Sequence, residues 1–321
     1  MLNQRNMKIV IIGGTGHVGT FLVPRLVSSG HEIIEISRKQ REPYLSHSAW
    51  MSVRKITIDR SEAEKRNSFG KQILDLEPDI VIDMICFTPE SAESLVTALY
   101  GKVQHFLICG TIWVHGYSEQ VPTDESQPRK PFGDYGIKKA AIESWLLSFS
   151  HRTSFPATII HPGHIVGPGW IPLNPAGNFN PVVYKKLAAG EELILPNLGL
   201  ETVHHVHADD VAQAFVKAIN NRSSVIGESF HIVSPQALTL RGYATAMAAW
   251  FGKEPKLKFL PWEEWKQTVN EKDADATWDH IAHSPNCSIE KAKRLINYQP
   301  RYTSLQAVQE SVKYLIDNKI L

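Results

Sequence analysis

The chain has 321 residues, 43% hydrophobic and 21% charged, an ordinary globular composition long enough to bury a sizeable core without covalent staples. Lys and Arg number 34 against 33 Asp and Glu, a net +1, which leaves no electrostatic footprint for strong nucleic-acid binding. Cys86, Cys109 and Cys287 lack C-x-x-C spacing, which speaks against a disulfide framework or structural zinc and fits a reducing, cytoplasmic compartment. No apolar run approaches the roughly 20 residues of a membrane span.

From residue 7 onward, short apolar runs alternate with helix-patterned segments, the mark of repeated βαβ units and a doubly wound parallel sheet of the α/β class. The runs predict strands at 8–12, 32–37, 53–58, 80–84, 105–109, 157–161 and 229–232. Helices are expected near 17–29, 67–76, 90–100, 134–151 and 209–220. Between 161 and 181 the sequence HPGHIVGPGWIPLNPAGNFNP is crowded with Gly, Pro and Asn, which predicts a long loop over the carboxyl edge of the sheet, where ligands bind. The expected division is a dinucleotide-binding core over 7–170, completed by elements within 200–235. A smaller substrate lobe is expected from 171–199 and 236–321, ending in the amphipathic run 305–316.

Directly after the first strand comes Gly13-Gly14-Thr15-Gly16-His17-Val18-Gly19, opening a helix. Gly13 allows the tight turn, Gly16 lets a pyrophosphate approach the backbone, and Gly19 permits close helix packing, while the helix N-terminus offers N–H donors. Thr15, His17 and Val18 lie within the same seat. The second strand ends in Ser37-Arg38, where a basic side chain pairs with a 2′-phosphate, so NADP is favoured over NAD. Asp59-Arg60, after the third strand, is placed to meet the adenine end.

Tyr135 and Lys139 stand four residues apart on a helical pattern and share a face. Lys139 is expected to lower the phenol from its ordinary value of about 10, making Tyr135 a proton-transfer group near neutral pH. Trp113, His115 and Trp170 are candidate walls of a substrate pocket. His204, His205 and His207 cluster beside Asp209 and Asp210, and on an extended segment His205 and His207 share a face, an arrangement that invites a metal.

GGTGHVG at 13–19, GTIWVHG at 110–116, the Tyr135/Lys139 pair, HPGHIVGPG at 161–169 and HVHADDVAQAF at 205–215 together resemble an extended short-chain dehydrogenase/reductase of the NAD-dependent epimerase/dehydratase family, over nearly the whole chain. The resemblance implies a Rossmann core with a C-terminal substrate lobe, and an oxidoreductase or epimerase acting on a sugar or sugar-like alcohol. It places Thr111 on the reacting oxygen, Lys139 also on the nicotinamide ribose, Ile85 and Cys86 under the cofactor, and Gly163 and His164 near the nicotinamide. Asn178 matches an asparagine that holds the substrate's nucleotide, and the resemblance makes the histidine segment a strand leading into a helix capped by Asp209, so no metal is expected. The pattern departs at 202–205, which lacks the usual arginine, and at His161 and His164, which stand for an Arg and an Asn. The alternatives are an NADPH-dependent carbonyl reductase of a non-nucleotide substrate, and a non-catalytic dinucleotide-sensing or RNA-associated role. Helices of similar enzymes pack two-on-two across a dimer axis, and the Ala92, Leu95, Leu99 stripe with Ala140, Ala141, Trp145 and Leu146 suggests a homodimer here.

Overall fold

β1 (Lys8–Ile12) is β-branched from Ile9 onward and buried on both faces: Ile9 and Ile11 join one hydrophobic cluster, Val10 and Ile12 the other. A strand of that kind belongs at the middle of a sheet covered by helices on both sides. The computed structural model, which describes residues 6–39 and 41–321, puts it there.

Along the chain follow α1 (His17–Ser28), β2 (Glu32–Ser37), β3 (Arg54–Thr57), α2 (Arg60–Lys65), α3 (Phe69–Leu74), β4 (Ile80–Asp83), α4 (Pro89–Leu99), β5 (His105–Cys109), α5 (Gly133–Thr153) and β6 (Ala157–Pro162). Next come β7 (His164–Val166), α6 (Val182–Ala189), β8 (Leu193–Pro196), β9 (Thr202–Val203), β10 (His205–His207), α7 (Ala208–Asn220) and β11 (Glu228–Ile232). The chain ends with β12 (Leu238–Thr239), α8 (Leu240–Trp250), β13 (Leu257–Leu260), α9 (Trp262–Trp265), α10 (Glu271–His283), α11 (Glu290–Ile296) and α12 (Ser304–Asp317).

Seven parallel strands run in the order β11-β6-β5-β4-β1-β2-β3. The chain winds one way from β1 to β3 and the other from β4 to β11, so the order reverses between β1 and β4. The crevice beyond their carboxyl ends is where such sheets take ligands. α1 and α7 cover one face, and α3, α4 and α5 the other.

The segment expected as a long loop contains β7, which pairs with β10 in a small parallel sheet. Its His164 N–H donates to the His204 carbonyl at 2.8 Å, a partner that lies far along the chain and leaves no local trace. A third cluster, with Tyr184, Tyr243, Met247, Trp265 and Val308, is the core under α6, α8, α9, α10 and α12. β8 pairs with β13 and β9 with β12 around it.

The dimer stripe falls elsewhere than expected. Ala92, Leu95 and Leu99 are 0% exposed and pack with Phe106, Ile142 and Leu146, so they form the sheet-facing side of α4 and offer no second face. The outward side carries Trp145 stacked on Phe149, with Tyr100 edge-on to it. Among the described residues no helix is long and apolar enough to cross a membrane.

Candidate active site

The dinucleotide end is shaped by backbone. Gly13 has φ +84°, and a Cβ there would lie 2.8 Å from the Ile85 side chain beneath it. A Cβ on Gly19 would lie 1.8 Å from the Gly14 carbonyl oxygen, so nothing larger than glycine fits. Gly16 is the N-cap of α1 and no side chain caps the helix, which leaves its first-turn donors and positive dipole end facing outward. Thr15 and Val18 are buried at the loop.

Glu35 is 1% exposed, beside Gly14; Ser37 Oγ donates to one carboxylate oxygen at 3.2 Å, and the other is buried with no partner. Burial pushes its carboxyl up. Arg38 is exposed at the end of β2. An uncapped helix end, a cradle closed to side chains and an unpartnered acceptor at the ribose position together fit a dinucleotide. Asp59 instead caps α2 through the Glu62 N–H at 3.1 Å. Arg60 is committed to Asp83 at 2.8 and 3.0 Å and to Glu64 at 2.6 Å, tying α2 to the end of β4.

Tyr135 lies in the first turn of α5 and Lys139 one turn on, and Thr111 follows β5, where its hydroxyl accepts from the Trp113 N–H at 3.3 Å. Tyr135 is 43% exposed and lines a cavity with Thr111, whose side chain is within hydrogen-bond reach of the phenol. Burial there pushes the phenol up to about 12, and the hydrogen bond with Thr111 pulls against that rise. The expected lowering by Lys139 is therefore reversed. Its ammonium donates to the Cys86 and Cys109 carbonyls, both at 2.8 Å, and sits 5.8 Å from the centre of the Tyr135 ring. Its charge is satisfied by two backbone dipoles rather than by the phenol.

The cavity measures about 370 Å³ and lies over the carboxyl ends of β4 and β5. Thr111, Tyr135 and Lys139 line it together with Gly163, His164, His17 and Trp170. His17 and Trp170 touch ring to ring above the start of α1. Trp113 forms a wall, held by a run of stacked rings: Tyr117 on Phe132 at 4.4 Å, Phe132 on His283 at 4.0 Å, His283 on Trp113 at 4.1 Å.

The sequence profile of the NAD dependent epimerase/dehydratase family matches residues 9–232, spanning the sheet and every motif just described. The chain belongs to the NAD-dependent epimerase/dehydratase family. It is 26% identical over 313 residues to a chloroplast stem-loop binding protein of 41 kDa from Arabidopsis thaliana, covering 95% of this chain and 78% of that one. To a UDP-glucose 4-epimerase of Mycolicibacterium smegmatis it is 25% identical, covering 79% and 86%. A dTDP-glucose 4,6-dehydratase from Bacillus anthracis, solved in complex with NAD, superposes with a TM-score of 0.74 at 17% identity over 98% of each chain.

Within this family frame, several side chains land away from the cavity. His115 lies behind it, with Nε2 2.9 Å from His231 Nε2 and Nδ1 donating to the Pro128 carbonyl at 3.2 Å. Asn178 lines a second cavity of about 290 Å³. Its amide is committed: Oδ1 accepts from Asn174 at 2.7 Å and from the Asn180 N–H at 3.0 Å, and Nδ2 donates to Thr277 at 3.1 Å. The histidine cluster is divided among different partners. His204 bonds the Ser234 carbonyl and the Cys287 N–H, His205 the Leu173 carbonyl, and His207 the Asp209 N–H, with its far nitrogen 2.9 Å from Glu310. Cys86 is buried, and its carbonyl rather than its thiol meets Lys139.

Sequence reading missed Phe87, Phe179 and His280, all on the cavity wall. Phe87 follows Ile85-Cys86 directly and was findable; Phe179 and His280 reach the wall only through the second lobe. It also missed the support under Thr111, whose N–H donates to His161 Nδ1 at 2.9 Å while His161 Nε2 lies 3.1 Å from Glu143, itself bidentate to Arg129. Burial acts to raise the Glu143 carboxyl, but His161 and Arg129 outweigh it and hold the group well below the usual range. Gly110 is required beside this ring, since a Cβ there would lie 2.2 Å from His161.

Proposed function

We propose that the protein catalyses NAD(P)-dependent hydride transfer at a hydroxyl-bearing carbon, or the corresponding carbonyl, of a sugar-like alcohol. The observation that carries the reading is one cavity lined by Tyr135, Thr111 and Lys139, with the phenol within hydrogen-bond reach of Thr111 and one helical turn from Lys139. Gly13, Thr15, Gly16, His17, Val18 and Gly19 would hold the pyrophosphate, Ser37 and Arg38 the 2′-phosphate of NADP, and Ile85, Cys86, Gly163, His164 and Lys139 the nicotinamide end. Asp59 and Arg60 would border the adenine from α2. The dinucleotide supplies or accepts the hydride. Thr111 and Tyr135 hold the substrate oxygen, and Tyr135 donates or removes its proton.

With its phenol pushed up to about 12, Tyr135 is protonated at neutral pH and is better suited to give a proton than to take one, which supports the reductive direction. The resident-cofactor cycle of an epimerase has no comparable support from Arg38. A binding-only role is favoured by the likeness to the Arabidopsis stem-loop binding protein. The Tyr135–Lys139 pair in one cavity, and a net charge of +1, support catalysis over it. Two copies would associate through the outward sides of α4 and α5, near Tyr100, Trp145 and Phe149; a light-scattering mass of one 36.1 kDa chain at micromolar concentration removes that part of the reading.

Tyr135→Phe tests the chemistry. NADPH binding should be unchanged while turnover falls roughly 10²- to 10⁴-fold, the usual loss of a proton-transfer group. Unchanged turnover takes Tyr135 out of the mechanism. In the wild-type protein, reduction should be flat through neutral pH and decline as pH rises towards about 12, while oxidation climbs about tenfold per pH unit over the same span.

A further inference from the structure

We propose that the substrate is an uncharged ring of monosaccharide size, bound against Trp113 and Phe179, and that the site does not take a nucleoside diphosphate. This rests on the hydride-transfer reading and narrows its substrate class.

Among the described residues lining the cavity, Lys139 is the one cation, and no Arg, Asp or Glu reaches the wall. Its ammonium is already held by the Cys86 and Cys109 carbonyls. The imidazoles on the wall add no charge. His280 must carry its proton on Nδ1, because that atom bonds the Ala276 carbonyl, which can only accept. Both nitrogens of His204 are committed to backbone groups. Burial drives His164 well below its ordinary value, His204 and His280 down to about 4 and His17 to about 2, so all four are neutral at physiological pH.

A diphosphate entering this cavity would bury two negative charges with only Lys139, already held by two carbonyls, to meet them, which proteins avoid. An aminated sugar would meet no carboxylate. The asparagine whose counterpart holds a nucleotide by family resemblance, Asn178, has its amide bound within the second lobe.

Size and shape agree with charge. At about 370 Å³ the cavity sits at the small end of the roughly 300–1,000 Å³ of ligand pockets, and on the hydride-transfer reading part of it belongs to the nicotinamide. Trp113 and Phe179 both stand edge-on to His280, at 5.2 and 5.6 Å. Their rings offer flat apolar surface for the C–H face of a second ring, with Thr111, Tyr135 and neutral His164 for its oxygens.

The test uses the full chain with NADPH or NADP bound, titrated with UDP, UDP-glucose and dTDP-glucose, with glucosamine, and with D-galactose, myo-inositol and cyclohexanone. Binding is read calorimetrically and turnover by nicotinamide absorbance. At least one uncharged ring should bind and turn over, with UDP, the nucleotide sugars and glucosamine weaker by about 100-fold or more. A nucleotide, a nucleotide sugar or glucosamine binding as tightly as the best uncharged ring overturns the proposal, as does the failure of every uncharged ring. The hydride-transfer reading fails separately, by no NADPH or NADH binding or by bound dinucleotide with no turnover of any compound, whereas turnover of a nucleotide sugar or of glucosamine leaves it standing and overturns the substrate class alone. Phe179→Ala should raise the KM for the uncharged ring roughly 2- to 10-fold and leave the NADPH affinity unchanged; an equal loss in both would place Phe179 on the cofactor instead.

Discussion

The glycine loop and the substrate wall border one crevice and are made differently. The loop is a backbone surface from seven consecutive residues, 13–19, and its shape depends on side chains being absent: a Cβ on Gly19 has a carbonyl oxygen 1.8 Å away. The wall is a set of side chains, Trp113, His164, Trp170, Phe179, His204 and His280, that meet only when separate segments have packed. A backbone site is broken by adding atoms. A site of buried neutral imidazoles is broken by adding protons.

Acid should therefore have the largest effect, and on the wall side. Burial holds His205 at about 3 and His204, His280 and His283 at about 4, below the 6.5 of an unfolded histidine. Their contribution is complete above about pH 6.5 and is lost as pH falls towards the folded values, at up to about 1.4 kcal/mol per imidazole per pH unit. The melting temperature should fall steeply between pH 6.5 and 5. His283→Phe, which keeps a ring between Phe132 and Trp113, should flatten part of that dependence; an unchanged slope would take His283 out of the set that acid attacks.

Gly19→Ala is the corresponding blow to the loop. Because the clash is with backbone, the cost should reach the upper end of the roughly 1–3 kcal/mol of overpacking, and NADPH binding should fail with it. Retained affinity in titration would show that the loop can move aside. Arg38→Ala is gentler, removing one charge-assisted contact of about 1.5–3 kcal/mol from NADPH and leaving NADH nearly untouched. Equal weakening of the two would place the 2′-position elsewhere, and Glu35, with its unpartnered oxygen, would be the group to examine.

The same contrast explains what was legible. Strands buried on both faces appear as unbroken apolar runs, and the expected bounds of 8–12, 32–37 and 105–109 coincide with β1, β2 and β5. The glycine spacing is likewise local. Lys139 was misread because the destination of its ammonium depends on carbonyls 53 and 30 residues away. α4 was misread because one apolar stripe cannot tell a sheet-facing side from a partner-facing one. Asp59 and Arg60 sit at a strand end where a ligand contact and a helix cap have the same composition, and here they cap and brace α2. His280 carries no spacing signal, since nothing near it foretells that α10 will bring the second lobe to the crevice, whereas Phe179 lies in the Gly-, Pro- and Asn-rich stretch expected over the sheet edge but is not set apart there from its neighbours.

Lys139 has a consequence for how the molecule comes into being. Its ammonium joins the segment after β4, the end of β5 and the α5 helix through two hydrogen bonds, so it cannot be in place until all three have docked. During refolding, helical signal can return while this junction is still open, and turnover by the proposed hydride transfer cannot. Recovery of that turnover would then report closure of this junction and lag behind the return of helical signal.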